Sequence, residues 1–276
     1  YIPAMVRLAV KFAYDGTCFM GSQRQPGERT VEGELLSALV AIGAIGSAAK
    51  GRFRVASRTD RGVSALGNVF AVDTSFRPKE LLAALNAKCR DVHCYALAEV
   101  PAAFSPRRAK DRWYRYHLPY RGQDIALMRA AAKEFEGRHE FRLFCRPEGR
   151  ATLRSLGAVE VRPMAGCIVI DLRAREFLRN MVRRIVSALD QVGQGKVSLG
   201  ELREALEGRG RAMGLADPAS LFLMDVDLGL EWTYPPTGRM PTAAAEGAHR
   251  ARVRLLFEEA LVEMSKLAEK APNNSI

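Results

Sequence analysis

The stretch ASRTDRGVSALGNV, residues 56–69, places one carboxylate between two guanidinium groups and then runs through two glycines into apolar chain. A turn between strands needs a glycine and often an aspartate that bonds its own backbone, and this is the commoner role of such an aspartate. A plain turn does not need Arg58 and Arg61 on either side of Asp60. Because a paired aspartate stays ionised at neutral pH, we interpret Asp60 as a candidate nucleophile or base.

Around this stretch the chain alternates between strand and helix patterns. Period-2 alternation and turn residues predict strands at 6–16, 53–57, 67–73, 92–100, 112–120, 153–162, 167–174 and 221–232. Caps and 3.6-residue periodicity predict helices at 30–44, 78–88, 124–136, 177–191 and 198–208. Two βαββαβ runs indicate an α+β fold with two ferredoxin-like halves. We predict an N-terminal half at 5–105, a C-terminal half at 106–235 and a helical extension at 236–276.

Composition points to a polyanionic partner. The 276 residues include 42 Lys and Arg against 31 Asp and Glu, which gives a net charge of +11. Such a charge favours nucleic acid or a membrane surface as partner. No apolar run approaches the roughly 18 residues of a transmembrane helix. The odd number of scattered cysteines, five, favours a reducing, cytoplasmic setting with free thiols.

Part of the basic charge is interleaved with aromatic residues. Residues 107–121, RRAKDRWYRYHLPYR, carry six basic side chains against one acidic one, among Trp113, Tyr114, Tyr116 and Tyr120. Aromatic faces beside cations are what an unstacked nucleotide binds. The alternative interpretation is a strand with its aromatic residues in the core and its arginines in solvent, and it carries about equal weight.

A second basic face is predicted on the helix at 177–191. Its apolar residues form one stripe, and the opposite face presents Arg179, Arg183 and Arg184. Arg179 and Arg183 would lie one turn apart and repel each other slightly. An anionic surface or a buried carboxylate opposite them would make that arrangement favourable.

Cofactor and metal motifs are weak. CRDVHC, residues 89–94, offers Cys89, His93 and Cys94, but no second ligand pair follows at a zinc-like spacing. We expect buried thiols there and no metal or cofactor in the reaction. Clustered carboxylates and a Ser–His pairing do not stand out, which disfavours a nuclease or hydrolase.

Five motifs together resemble the TruA family of tRNA pseudouridine synthases, from about residue 6 to residue 232. SRTDRGVSALGNV resembles the family signature around its catalytic aspartate, and YDGTCFMGSQRQPGERTVEGEL resembles its N-terminal strand, loop and helix. FSPRRAKDRWYRY and FLRNMVRRIV match the segments with its active-site tyrosine and arginine, which fall on Tyr114 and Arg183. DPASLFLMDVDL resembles the closing strand. The chain departs from the family at Ser22, where Trp is frequent, and at Ser64, where His is frequent, so we expect altered substrate contacts there.

The resemblance implies a pseudouridine synthase fold, with two ferredoxin-like halves around a central basic cleft, and a cofactor-free isomerisation of uridine in tRNA. Asp60 would be the nucleophile or the base that drives glycal formation, and Arg183 its ion-pair partner. Tyr114 would stack on the target base and assist proton removal from C5. Arg58 would fill the space left by the extruded base. The other expected substrate-binding residues are Arg24, Gln25, Arg61, Arg112 and Arg179.

The resemblance further implies a homodimer, a tRNA that spans both subunits, and targets at positions 38–40 of the anticodon stem-loop. Two alternatives remain: a non-catalytic tRNA-binding protein or RNA chaperone of the same fold, and a basic ribosome-associated protein. In each case binding should weaken steeply as salt rises, because neutralised phosphates release counterions.

Overall fold

The computed structural model describes residues 5–238 and 240–270, and within them strands and helices alternate along the chain. The strands are β1 (Val6–Tyr14), β2 (Arg54–Val55), β3 (Ser64–Thr74), β4 (Val92–Glu99), β5 (Asp111–Pro119), β6 (Gly137–Glu140), β7 (Leu153–Leu156), β8 (Val159–Met164), β9 (Cys167–Ala174) and β10 (Leu221–Asp227). The helices are α1 (Val31–Ala41), α2 (Pro78–Lys88), α3 (Ile125–Glu134), α4 (Met181–Gly193), α5 (Leu199–Leu206) and α6 (Met240–Lys270).

One eight-stranded sheet runs through both halves of the chain. Its order is β4-β1-β3-β10-β5-β9-β8, and β2 pairs with the remaining part of β3. In each half the strands follow the ferredoxin-like order, with β4-β1-β3-β2 in the first and β10-β5-β9-β8 in the second. The predicted α+β fold is therefore confirmed. The sheet is continuous across the predicted boundary between residues 105 and 106, because β3 and β10 pair in parallel.

Alternation along β5 divides its side chains between two environments. Arg112, Tyr114, Tyr116 and Leu118 are buried, whereas the residues between them are half-buried. The buried set joins the single large core formed with α3 and α4, whose Met128 and Ile185 are fully buried. Successive side chains of a strand point to opposite faces, so Arg112, Tyr114 and Tyr116 lie on one face and Trp113 and Arg115 on the other. Each face therefore carries both aromatic and basic residues, and the strand does not present them as one surface.

Three predicted elements differ from the structure. Helix α4 begins at Met181 rather than at residue 177, because Asn180 takes a left-handed conformation with a φ of 64°. The predicted strand at 153–162 is two strands: β7 pairs with β6 in a separate small sheet, and β8 pairs with β9. The predicted strand at 221–232 ends at Asp227.

The C-terminal segment forms the long helix α6, Met240–Lys270, within the predicted extension at 236–276. Its residues from 248 to 262 are exposed. The last six residues of that extension, 271–276, lie outside the described part of the chain. Among the helices that the structure describes, none has both the length and the apolar character that crossing a membrane requires.

Candidate active site

The loop that carries Asp60 leaves the sheet where two strands share one edge of β3. β2 pairs with the far part of that edge, through Arg54 opposite Ala71 and Val55 opposite Phe70. β10 pairs with the near part, through Phe222 opposite Ser64. The chain from 56 to 63 emerges between these two pairings, at the junction of the two halves. The topology therefore places Asp60 where residues from both halves can reach it.

Two positions at this loop require glycine: Gly62 within it and Gly16, which packs against it. Gly62 has a φ of +85°, which L-residues rarely adopt. The Val63 amide donates to the Asp60 carbonyl over 3.1 Å and closes a tight turn around Asp60. Gly16 lies so close that a Cβ there would be 2.1 Å from the Val63 carbonyl oxygen. These constraints fix the backbone that follows Asp60.

Asp60 forms an ion pair with Arg183 from helix α4. One Arg183 Nη lies 3.2 Å from Asp60 Oδ2, and the Asp60 side chain keeps 28% of its surface exposed. Arg183 Nε donates to the Ala216 carbonyl over 2.7 Å, and the Ala216 amide donates back to the Arg183 carbonyl. The segment after α5 thus holds the guanidinium by one nitrogen and turns another toward Asp60.

The flanking arginines do not supply this pairing. Arg58 and Arg61 are both exposed, and in the described part of the chain the basic group within 4.0 Å of the Asp60 carboxylate belongs to Arg183. The interpretation that the two sequence neighbours pair with Asp60 is therefore wrong. The partner lies 123 residues away in sequence.

Tyr114 lies buried beside this pair. Its ring meets that of Phe177 edge to face, with 5.2 Å between the centroids. Burial raises its pKa well above the ordinary 10, and the negative charges of nearby groups, Asp60 among them, act in the same direction. The phenol is therefore protonated at neutral pH, which favours stacking over a role as a base. The charge of Asp60 acts on Tyr114, and the role of Tyr114 in the reaction stays a prediction.

Arg112 is a scaffold residue in this structure. Its buried guanidinium donates to the Ser57 hydroxyl over 2.9 Å, to the Ala56 carbonyl over 3.1 Å and to the Arg107 and Arg175 carbonyls. Burial lowers its pKa. Because its donors are used inside the chain, its position supports the start of the Asp60 loop and disfavours the expected phosphate contact.

Arg179 does not lie one turn above Arg183 on a shared helix, as the sequence pattern indicated. It precedes α4, its carbonyl accepts from the Arg146 amide over 2.8 Å, and its guanidinium pairs with Glu148 at 2.5 Å. The hydrogen bond that Arg179 donates to Glu148 is the largest cause of its raised pKa, to which the charge of Asp60 adds. Arg179 is thus close to the site, but its charge is partly balanced.

Three of the remaining expected contacts line one open cavity of about 540 Å³ next to the Asp60 loop, whereas the exposed Arg61 is not part of its lining. Arg24, Gln25 and Arg58 line it, together with Arg54 and Arg107, which sequence reasoning did not select as site residues. The Gln25 amide donates to the Met20 carbonyl over 2.8 Å and holds the loop before α1. The basic content of residues 107–121 was the signal that could have singled out Arg107.

The two family departures are buried and touch the loop scaffold. Ser22 bonds the backbone of Thr59, and the Ser64 hydroxyl accepts from the Gly16 amide over 3.0 Å. Their exposed fractions are 1% and 7%. Both side chains therefore face protein in this structure, and the expectation of altered substrate contacts stays a prediction.

Comparison with known proteins decides the family. The family described as tRNA pseudouridine synthase matches residues 131–227. A tRNA pseudouridine synthase A from Pyrococcus abyssi is 44% identical over 225 residues, 80% of this chain and 84% of the relative. The chain belongs to the tRNA pseudouridine synthase A (TruA) family. The relative of the same name from Methanocorpusculum labreanum is 36% identical over 263 residues, 94% of this chain and 93% of that protein.

A solved Cbf5–Nop10–Gar1 complex is similar at a lower level. The TM-score is 0.33 at 15% identity, over 66% of this chain and 45% of that one. A TM-score this low does not define the fold. The fold assignment follows from the sheet topology and from family membership.

Proposed function

We propose that this protein, as a TruA family member, isomerises uridine to pseudouridine in tRNA with Asp60 as its catalytic carboxylate. The observation that carries the proposal is the Asp60–Arg183 pair, held by a rigid loop at the junction of the two halves and still 28% exposed at the carboxylate. Family membership supports the reaction and the substrate class. The geometry supports the choice of residue.

The reaction breaks the N1–C1′ glycosidic bond, rotates the uracil and joins C5 to C1′. N1 gains a proton and C5 loses one, so the reaction needs no oxidant, reductant or energy donor. Asp60 attacks C1′ as a nucleophile or removes a ribose proton to give a glycal, and both routes need an ionised carboxylate. Arg183 keeps Asp60 oriented by a charge-assisted hydrogen bond.

Tyr114 and Arg58 serve the displaced base. A base inside a stem must leave its stack, which costs a few kcal/mol. The Tyr114 ring, fixed edge to face by Phe177, is buried in the unliganded protein, so the uracil stacks on it only after a neighbouring group is displaced. Arg58 is exposed two residues before Asp60, where its side chain can enter the vacated space.

We further propose that the targets are positions 38–40 of the anticodon stem-loop and that the enzyme acts as a homodimer in the cytoplasm. The cavity lined by Arg24, Arg58 and their neighbours supplies positive charge beside the site for the RNA backbone. Gln25 lines the same cavity, Arg61 is exposed next to Asp60 in sequence, and we assign both as further contacts.

The test is tritium release from tRNA that carries [5-³H]uridine. Release reports the loss of the C5 hydrogen directly, and tRNAs with single replacements at 38, 39 or 40 show which uridines react. We expect release from the wild-type protein and a loss of at least roughly 10³-fold in the Asp60→Asn variant, with tRNA binding retained. An Asp60→Asn variant with the wild-type rate would disprove the role of Asp60. No release from any tRNA, despite salt-sensitive binding, would favour a non-catalytic RNA-binding protein.

A further inference from the structure

Thr59, the residue immediately before Asp60, is held on three sides. Its amide donates to the Ser22 hydroxyl over 2.7 Å, and its carbonyl accepts from the Ser22 hydroxyl and the Ser22 amide, each over 3.2 Å. Its side-chain hydroxyl lies 2.8 Å from the hydroxyl of Tyr14 at the end of β1. Asp60 is thus the first residue beyond a fixed peptide.

Ser22 is itself fixed by helix α1. Its carbonyl accepts from the Glu32 amide over 2.9 Å, and the Gly21 carbonyl accepts from the Val31 amide over 3.3 Å. Both of these amides belong to the first turn, which Thr30 caps by accepting from the Gly33 amide. Only 1% of Ser22 is exposed, so water has little access to replace its hydroxyl if a substitution removes it. A rigid path therefore runs from α1 through Ser22 to Thr59.

We propose that Ser22 is a positioning residue, whose hydroxyl sets the backbone of Thr59 and thereby the direction in which the Asp60 carboxylate points. This proposal rests on the proposed function of Asp60. Arg183 holds the carboxylate from one side, and Ser22 holds its peptide from the other. A misplacement of about 1 Å costs an enzyme roughly 100-fold in rate, so loss of the Ser22 hydroxyl should act on turnover.

Thr74 offers a matched control for the loss of a buried hydroxyl. Its hydroxyl donates to the Ala44 carbonyl over 2.7 Å and accepts from the Phe76 amide over 3.0 Å, and the residue is fully buried. It ends β3, at the end of the strand away from the Asp60 loop. Thr74→Val and Ser22→Ala each remove one buried hydroxyl that donates one hydrogen bond to the backbone and accepts one from it. The two hydroxyls differ in their distance from the Asp60 loop.

The experiment compares both variants of the full chain in single-turnover tritium release, tRNA binding and thermal unfolding. We expect Ser22→Ala to slow release by 10- to 100-fold at saturating enzyme, with tRNA affinity changed less than threefold. Thr74→Val should lower the melting temperature by a similar amount with release near the wild-type rate. Equal rates in the two variants would overturn the proposal.

Tyr14→Phe keeps the test decisive if Ser22→Ala does not fold. It removes the hydrogen bond between the Tyr14 hydroxyl and the Thr59 side-chain hydroxyl. We expect a smaller fall in rate, of a few-fold, at unchanged tRNA affinity. A wild-type rate in Tyr14→Phe, with Ser22→Ala unfolded, would count against the proposal. If Asp60→Asn keeps the wild-type rate, the proposed function fails. If Asp60→Asn is inactive and Ser22→Ala matches Thr74→Val, only the role of Ser22 fails.

Discussion

Two aspartates, Asp60 and Asp171, lie among arginines in this protein, and they differ in how completely they are paired. Asp171, on β9, accepts from the Trp113 indole over 2.6 Å, from two nitrogens of Arg115 over 2.9 and 3.0 Å, and from Arg162 over 2.5 Å. Only 8% of its side chain is exposed, against 28% for Asp60. In the described residues, Asp60 has the single ion pair with Arg183.

The surroundings of Asp171 leave it little capacity for chemistry. Burial acts to raise its pKa, but the hydrogen bonds from Arg115, Trp113 and Arg162 outweigh it, and the pKa is lowered. The Trp113 ring lies between the guanidinium groups of Arg115 and Arg173, at 5.0 and 4.5 Å. Proximity to arginine therefore does not distinguish a catalytic aspartate. What distinguishes Asp60 is a carboxylate held by one partner and open to a ligand.

Apart from replacement of Asp60 itself, the largest effect on this comparison is expected at Arg183. Arg183→Gln removes the charge that orients Asp60, and a charge-assisted hydrogen bond contributes about 1.5–3 kcal/mol, or roughly 10- to 100-fold in rate. Single-turnover tritium release measures it. Arg184→Gln is the control, because the neighbouring guanidinium donates to the Met213 carbonyl over 2.8 Å and not to Asp60. Equal losses in both variants would show that the arginines act through α4 and not through the pair.

A smaller effect is expected at Arg58. Arg58→Ala should reduce turnover by about tenfold and tRNA affinity by less than threefold, because its role is to support the extruded base rather than to hold the tRNA. Arg61→Ala, an exposed arginine on the other side of Asp60, is the matched control for the loss of one positive charge. If turnover and affinity fall together in Arg58→Ala, the support role is contradicted.

The smallest effect on turnover is expected at Asp171, where stability changes instead. A carboxyl whose pKa is lowered in the folded state stabilises the fold above its unfolded value of 3.8, and the contribution is lost as the pH falls through the folded value. Asp171→Asn should therefore cost about 1–3 kcal/mol at pH 7, since four donor groups of three residues lose a charged acceptor. Urea unfolding at pH 7 and at successively lower pH values below 3.8 should show this difference shrinking as Asp171 of the wild type becomes protonated. A constant difference would contradict the assignment.

Residue periodicity predicted the strand at 112–120 but not the surroundings of its side chains. Arg112 and Trp113 are neighbours in sequence, yet Arg112 supports the Asp60 loop whereas Trp113 helps to hold Asp171. The alternation is a local property of the sequence. Which segment packs on each face is decided by parts of the chain that are distant in sequence. This is why the aromatic and basic residues of one strand looked like one binding surface.

The partner of Asp60 could be inferred from family resemblance and not from the local charge pattern. The arginines next to Asp60 in sequence suggested the wrong pair, because the turn directs them to solvent. Similarly, Phe177 and Leu178 continue the apolar stripe of α4 backward, so the sequence pattern gives no sign that the helix begins only after Asn180. The bonds of Ser22 to Thr59 join residues 37 positions apart. Only the folded chain reveals them.

The most direct test of the account is to compare Asp60→Asn and Asp171→Asn in the same two assays. The account predicts that each variant loses one property and keeps the other. Asp60→Asn should lose tritium release with nearly unchanged stability to urea, and Asp171→Asn should lose stability while release at a permissive temperature stays within about twofold of the wild type. If Asp60→Asn retains release, or if Asp171→Asn abolishes release while it remains folded, the distinction between a singly paired catalytic aspartate and a fully bonded structural one is contradicted.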